Sequence, residues 1–222
     1  MAVRAGTGKS ATAMKRIRFA LVLLASFAFA GSASADEGAQ KFVQNEHVKL
    51  EKLLRQPASA SRDGQVTQTL DTMVDYDELA HRAFGEPCPP SHSSCVNHWT
   101  ELSKQQKDDV SLLLKKLVEK NYRKNLIKTL DYEVVYKGQK EQGSDAKIRT
   151  EAKSKLKPRD PAVQVDYVVK PENGGYKVVD IVTEGSSLTK NYYDQFHKML
   201  TTPGQGYPHI IKKLNDKLAK PD

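Results

Sequence analysis

The residues best able to do chemistry in this 222-residue chain are the two cysteines and two nearby histidines, Cys88, His92, Cys95 and His98. Two thiolates and two imidazoles form a ligand set that zinc or copper accepts. Cysteines of exported proteins more often form disulfides, and the distance between Cys88 and Cys95 is wider than in the usual zinc knuckle. We therefore predict a Cys88–Cys95 disulfide and no metal, with the metal site and free thiols as alternatives.

No set of residues in the sequence resembles a catalytic centre. Ser186 and Ser187 follow Glu184 and Gly185, but the G-x-S-x-G pattern of a serine nucleophile is absent. The sequence also contains neither a phosphate-binding loop nor a dinucleotide fingerprint. The six histidines are scattered along the chain, at positions 47, 81, 92, 98, 197 and 209. These observations predict a protein that is not an enzyme and that needs no cofactor.

The first 35 residues have the organisation of a secretory signal peptide. A basic stretch at residues 14–18 precedes the apolar run 19–31, and Ala33 and Ala35 match the A-x-A cleavage pattern. An uncleaved membrane anchor is the alternative, but the apolar run is shorter than the roughly 20 residues that a spanning helix needs. We therefore expect cleavage after Ala35, export, and a single mature domain comprising residues 36–222.

Charge argues against a nucleic-acid-binding protein. The formal net charge is +8, but residues 1–35 contain five basic residues and no acidic ones, which leaves +3 on the mature chain. This small excess lacks the clustered basic footprint that nucleic acids require. Lys147, Arg149, Lys153 and Lys155 alternate along one predicted strand. We interpret them as a solvated sheet face or as a contact surface for anionic lipid or an acidic partner.

Hydrophobic periodicity predicts helices first, then strands, then helices. Apolar residues recur at helical spacing over residues 39–56 and 66–73, and capping-box patterns at Asp75 and Ser103 open two further helices. The period changes to two in four segments, at residues 130–137, 146–153, 163–169 and 176–183. Two helices follow. The fold class is therefore α+β: a four-stranded antiparallel meander covered by helices, with a helical N-terminal half and two C-terminal helices.

Several local strings resemble the MlaC, or toluene-tolerance, family of periplasmic phospholipid-transport proteins. The first is VDYDELA at residues 74–80, followed by Gly85 and the pair His98-Trp99. The second is YKVVDIVTEGSSL at residues 176–188, followed by Asn191-Tyr192 and Gln195-Phe196. Two features depart from the family pattern. Residues 86–97, which carry both cysteines, form an insertion, and Tyr193 stands where many members have arginine.

The resemblance implies a soluble periplasmic carrier whose bound phospholipid is cargo, not a cofactor. Its implied partners are an inner-membrane ABC transporter complex and an outer-membrane lipoprotein complex. The cationic strand adds transient contact with the membrane surface as a further hypothesis. The acyl chains would lie between the sheet and the helices. The expected lining residues are Leu113, Leu117, Ile148, Val163, Val165, Tyr167, Val179 and Ile181, each of which could equally be ordinary core. The rival hypotheses are an exported adaptor with a filled core and a metal-binding domain at the cysteines.

Overall fold

A computed structural model describes residues 38–88 and 94–221 of the chain. The predicted signal peptide and His92 lie outside these residues. Within the part that is described, no helix combines the length and the apolar character needed to cross a membrane.

Six helices occur in the described residues, close to the positions that the periodicity predicts. Asp75 accepts a hydrogen bond from the backbone N–H of Glu78, and Ser103 forms a reciprocal capping box with Gln106. These bonds satisfy backbone donors that a helix start leaves unpaired. The helices are α1 (Gly38–Leu54), α2 (Ala60–Met73), α3 (Tyr76–Ala83), α4 (Lys104–Thr129), α5 (Leu188–Thr201) and α6 (Tyr207–Ala219), and a 3-10 turn at Trp99–Glu101 precedes α4.

The predicted meander is present, with one strand more than expected. The strands follow sequence order across an antiparallel sheet: β1 (Tyr132–Gln142), β2 (Asp145–Ser154), β3 (Val163–Glu172), β4 (Gly175–Thr183) and β5 (Ser186–Ser187). Strand β5 arises because Glu184 and Gly185 both adopt positive φ and turn the chain back onto the end of β4. Two residues are too few to show a hydrophobic period, so alternation could not predict this strand. The α+β class is confirmed.

A register shift divides the apolar residues of the sheet between its two faces. Ile148, Tyr167 and Val169 belong to the main core, which lies between the inner face of the sheet and the helices. The pairing of β3 with β4 shifts between Val168 and Val169. After such an irregularity, the following side chains change faces. Val179 therefore lies with Val168 and Val182 in a second, separate cluster.

Two cationic residues of β2 share a carboxylate of the neighbouring strand β3. Asp166 of β3 is fully buried, with its carboxylate 3.0 Å from Lys147 and 3.6 Å from Arg149. Glu151 is paired with Lys137 of β1 at 2.8 Å. Because paired charges attract a distant anionic surface less than free ones do, these contacts favour the interpretation of a solvated sheet face.

The two described ends of the insertion, residues 86–88 and 94–97, are held in place by a disulfide and by contacts with neighbouring residues. Cys88 and Cys95 form the predicted disulfide. Gly85 has a positive φ, and a Cβ atom there would lie 2.5 Å from the carbonyl oxygen of Val96, so only glycine fits. The buried phenol of Tyr193 accepts a hydrogen bond from the backbone N–H of Val96 at 2.9 Å. The two departures from the family pattern therefore contact each other: Tyr193 anchors the insertion.

The disulfide removes both thiols from the alternative metal site. His98 instead faces His197 of α5, with Nε2 of one ring 2.8 Å from Nδ1 of the other. Among the described residues, no group of three or more histidine, cysteine or carboxylate side chains could hold a metal ion.

Candidate functional site

A cavity of about 600 Å³ opens between α1, the C-terminal end of α4 and β1. Its volume falls within the range of roughly 300–1,000 Å³ that is typical of small-molecule sites. Tyr167 of β3 closes it from the sheet side. The lining residues are Gln44, Asn45, His47, Val48, Leu50, Glu51, Leu54, Tyr122, Thr129, Leu130, Tyr132, Glu133, Val134, Tyr136, Lys155 and Tyr167.

Two sequence periods direct side chains into this cavity. In α1, His47, Leu50, Glu51 and Leu54 are spaced by three and four residues, so they share one face of the helix. In β1, Tyr132, Val134 and Tyr136 are spaced by two and share one face of the strand. The remaining walls come from Tyr122 in α4, from residues 129–130 where α4 ends, and from Tyr167.

The back of the cavity is aromatic and uncharged at neutral pH. The Nδ1 atom of His47 is hydrogen-bonded to the hydroxyl of Tyr136 at 2.6 Å, and the ring of Tyr167 meets the His47 ring edge-on, 4.9 Å between centroids. Burial lowers the pKa of His47 to about 4, because an imidazolium there would lose its hydration. For the same reason burial raises the pKa of the phenols of Tyr122, Tyr136 and Tyr167.

The mouth of the cavity, in contrast, carries polar side chains beside exposed valines. Gln44, Asn45, Glu51, Glu133 and Lys155 contribute amide and charged groups there. Glu51 is paired with Arg55 at 2.6 Å, and the ammonium of Lys155 donates a hydrogen bond to the carbonyl oxygen of Leu130 at 3.1 Å. An uncharged back and a polar mouth suit an amphiphilic molecule that enters with its apolar part first.

The interior beyond Tyr122 is filled. Tyr122 also lines a second, internal void of about 10 Å³, whose other walls include Leu79, Val118 and Ile181. A void of this size has room for about one water molecule. The space available to a ligand therefore ends at Tyr122 in this conformation.

The structure brings one of the eight predicted lining residues to the large cavity. Tyr167 lines it, and Ile181 lines the small void behind Tyr122. Leu117 and Ile148 are buried in the main core, and Leu113 and Val165 pack against it. Val163 is half-buried where β3 begins, and Val179 lies in the second cluster. Contact of any of these residues with a bound lipid stays a prediction.

The sequence does not predict most of the cavity wall. Leu50 and Leu54 belonged to a predicted amphipathic helix, and Tyr132 and Tyr136 to a predicted alternating strand, so their inward orientation was available from their spacing. His47 and Tyr122 carried no comparable signal. Spacing identifies the inward face of an element but does not give the distance to the element opposite it.

Comparison with known proteins identifies the family. The sequence profile of the MlaC protein family matches residues 44–216, which is most of the chain. The chain belongs to the MlaC family. None of the curated protein sequences matches it.

Among solved structures, this MlaC-family chain is similar to a phospholipid-binding protein from Ralstonia solanacearum, which was determined in complex with a phospholipid. The two share 20% sequence identity with a TM-score of 0.65. The match covers 82% of this chain and 97% of the other. At this identity the similarity establishes a common fold.

Proposed function

We propose that this MlaC-family protein is a periplasmic phospholipid carrier that binds acyl chains in the 600 Å³ cavity and leaves the headgroup at its mouth. The observation that carries the proposal is the arrangement of the walls: aromatic and aliphatic side chains at the back, amide and charged side chains at the opening. Family membership and the phospholipid bound by the similar Ralstonia protein support it.

The energetics of lipid transfer explain why a carrier needs such a cavity. At about 0.8 kcal/mol per buried methylene, two acyl chains with roughly 30 methylenes represent about 20 kcal/mol that must stay out of water. A protein that shields the chains removes most of this barrier without any chemical step. The work is binding and release, which requires no catalytic residue.

Membership of the family supports a route of transport. We propose that the carrier exchanges phospholipid with an inner-membrane ABC transporter complex and with an outer-membrane lipoprotein complex, after export and removal of residues 1–35. The uncharged state of His47 and of the surrounding phenols at neutral pH supports acyl chains as the cargo, because none of these groups places a charge against a methylene.

Organic extraction and mass spectrometry of the purified mature protein test the proposal directly. We expect phospholipid in stoichiometric amounts. A matched pair of variants locates it. Leu54→Glu puts a carboxylate on the cavity wall, whereas Leu53→Glu puts the same group in the groove between α1 and α2.

We expect Leu54→Glu to lose most of the bound lipid and Leu53→Glu to keep it, with circular dichroism reporting on the fold of both. Absence of phospholipid from the wild-type protein would contradict the carrier. Equal retention by the two variants would place the lipid elsewhere in the molecule.

A further inference from the structure

Exposed apolar side chains are concentrated at the mouth of the cavity. Among the described residues, seven large apolar side chains are exposed, and four of them come from segments that border this opening: Val48 at 65%, Ile127 at 58%, Val134 at 37% and Leu156 at 72%. Val48 and Val134 line the cavity, Leu156 follows Lys155, and Ile127 lies one turn or less before the lining residues at the end of α4. Single exposed apolar residues need no explanation, but two in the wall of one opening and two in the segments next to it do.

The loop between β2 and β3 adds positive charge at the same place. Lys155, Lys157 and Arg159 are exposed and surround Leu156, the most exposed of the four apolar residues. Within the described parts of the chain, neither Lys157 nor Arg159 has a carboxylate within ion-pair distance. Asp160 is the one acidic residue of the loop.

Backbone and side-chain hydrogen bonds hold this loop beside the mouth. The backbone N–H of Lys155 donates to the carbonyl oxygen of Asp131 at 2.8 Å, and its ammonium donates to the carbonyl oxygen of Leu130 at 3.1 Å. The backbone N–H of Lys157 donates to the hydroxyl of Ser154 at 3.0 Å. The loop is therefore positioned before any partner binds, which reduces the entropy lost on binding.

We propose that the cavity mouth docks on an anionic lipid bilayer, with Leu156 entering the interface and Lys155, Lys157 and Arg159 contacting lipid phosphates. The proposal rests on the carrier function and adds a surface to it. At such an interface, exposed apolar side chains insert among the lipids, and the cations around them attract the lipid phosphates. Docked in this way, the opening faces the membrane that holds the proposed partner complex, and an acyl chain can pass between the cavity and that complex without crossing water.

The outer face of the sheet fits a bilayer less well, although it also carries cations. Its Lys147 and Arg149 contact the buried carboxylate of Asp166, and Lys137 is paired with Glu151. A phosphate there would have to compete with carboxylates that are already in place. In the part of the chain that the structure describes, Lys157 and Arg159 of the β2–β3 loop have no carboxylate partner with which a phosphate must compete.

Vesicle flotation with the mature, full-length domain tests the docking. We expect binding to vesicles of equal parts phosphatidylcholine and phosphatidylglycerol, weaker binding to phosphatidylcholine alone, and a loss of binding as salt increases. The variant Lys155→Gln/Lys157→Gln/Arg159→Gln should bind anionic vesicles at least tenfold more weakly, because each cation near the surface contributes roughly fivefold. Leu156→Ser should weaken binding severalfold.

Two controls match these variants. Lys198→Gln/Lys212→Gln/Lys213→Gln removes three exposed lysines from α5 and α6, which do not line the cavity, and Leu112→Ser removes an exposed leucine from α4. Both should bind vesicles like the wild type.

Equal vesicle binding by the loop variants and their controls would overturn the docking proposal, as would wild-type protein that ignores anionic vesicles. Phospholipid extracted from the same samples keeps the two proposals apart. Protein that retains lipid but does not bind vesicles refutes the docking and leaves the carrier intact. Protein that carries no lipid refutes the carrier whatever the vesicles show.

Discussion

The two ends of the helix–sheet interface both contain leucine and tyrosine side chains but are packed differently. In the main core, where Leu114 and Ile148 are fully buried, the helices and the sheet leave a residual void of about 10 Å³, which is lined by residues that include Leu79 and Ile181. Between α1 and β1, where Leu54 and Tyr136 are half-buried, a cavity of about 600 Å³ remains. Apolar composition therefore does not by itself make a core: what differs is whether another element is close enough to fill the space.

The largest difference between the two ends should appear in the free energy of unfolding. Leu114→Ala removes side-chain atoms from a filled core and should cost about 3 kcal/mol, because a new cavity is created. Leu54→Ala removes the same atoms from the wall of a space that is already open and should cost about 1 kcal/mol or less. Urea denaturation measures both values. Equal costs would mean that the cavity is closed in solution.

The open end should also respond to acid. Folding lowers the pKa of His47 from 6.5 to about 4, so the unfolded chain binds a proton more readily between these pH values. Neutral His47 therefore contributes fully to the free energy of unfolding above pH 6.5. This contribution is lost as the pH falls, and the loss reaches about 3 kcal/mol at pH 4. Urea denaturation at intervals from pH 7 to pH 4 measures this slope.

A histidine variant isolates the effect of that residue. His47→Gln should have a flatter dependence of stability on pH than the wild type, since the glutamine does not titrate. His209→Gln, in α6 and away from the cavity, should keep the wild-type slope. If both variants behave like the wild type, His47 is not the group responsible.

The Cys88–Cys95 disulfide should contribute less to the free energy of unfolding than Leu114 or neutral His47 does. Cys88→Ser/Cys95→Ser opens a loop whose ends are seven positions apart. In the chain-entropy model this costs about 2 to 3 kcal/mol. Bound phospholipid should be unchanged, because neither cysteine lines the cavity. Loss of lipid with the fold intact would show that the insertion affects the binding site.

The smallest effect is expected at the mouth. Val48 lines the cavity but is mostly exposed, so Val48→Ser should change the free energy of unfolding by about 0.5 kcal/mol or less. Thermal or urea denaturation checks this. A much larger loss of stability would mean that Val48 is covered in solution, for example by a second copy of the chain, which gel filtration would detect.

Local patterns predicted those features that depend on neighbouring residues. The caps at Asp75 and Ser103, the antiparallel meander and the Cys88–Cys95 disulfide all match the structure, since each depends on residue types within a few positions or on short connections. The position of Val179 was not available in this way. It depends on a register shift between β3 and β4, and no residue type in either strand marks that shift.

The sequence by itself determined the family, the α+β class and which faces of α1 and β1 point inward. The last two follow from the spacing of apolar residues, which differs between helices and strands. Tertiary structure alone decided where those inward faces leave a gap. The width of that gap depends on how several distant segments pack together, and His47, Tyr122 and Tyr136 are distant in sequence but share one cavity. Sequence spacing describes one element at a time, whereas an empty volume belongs to all the elements that surround it.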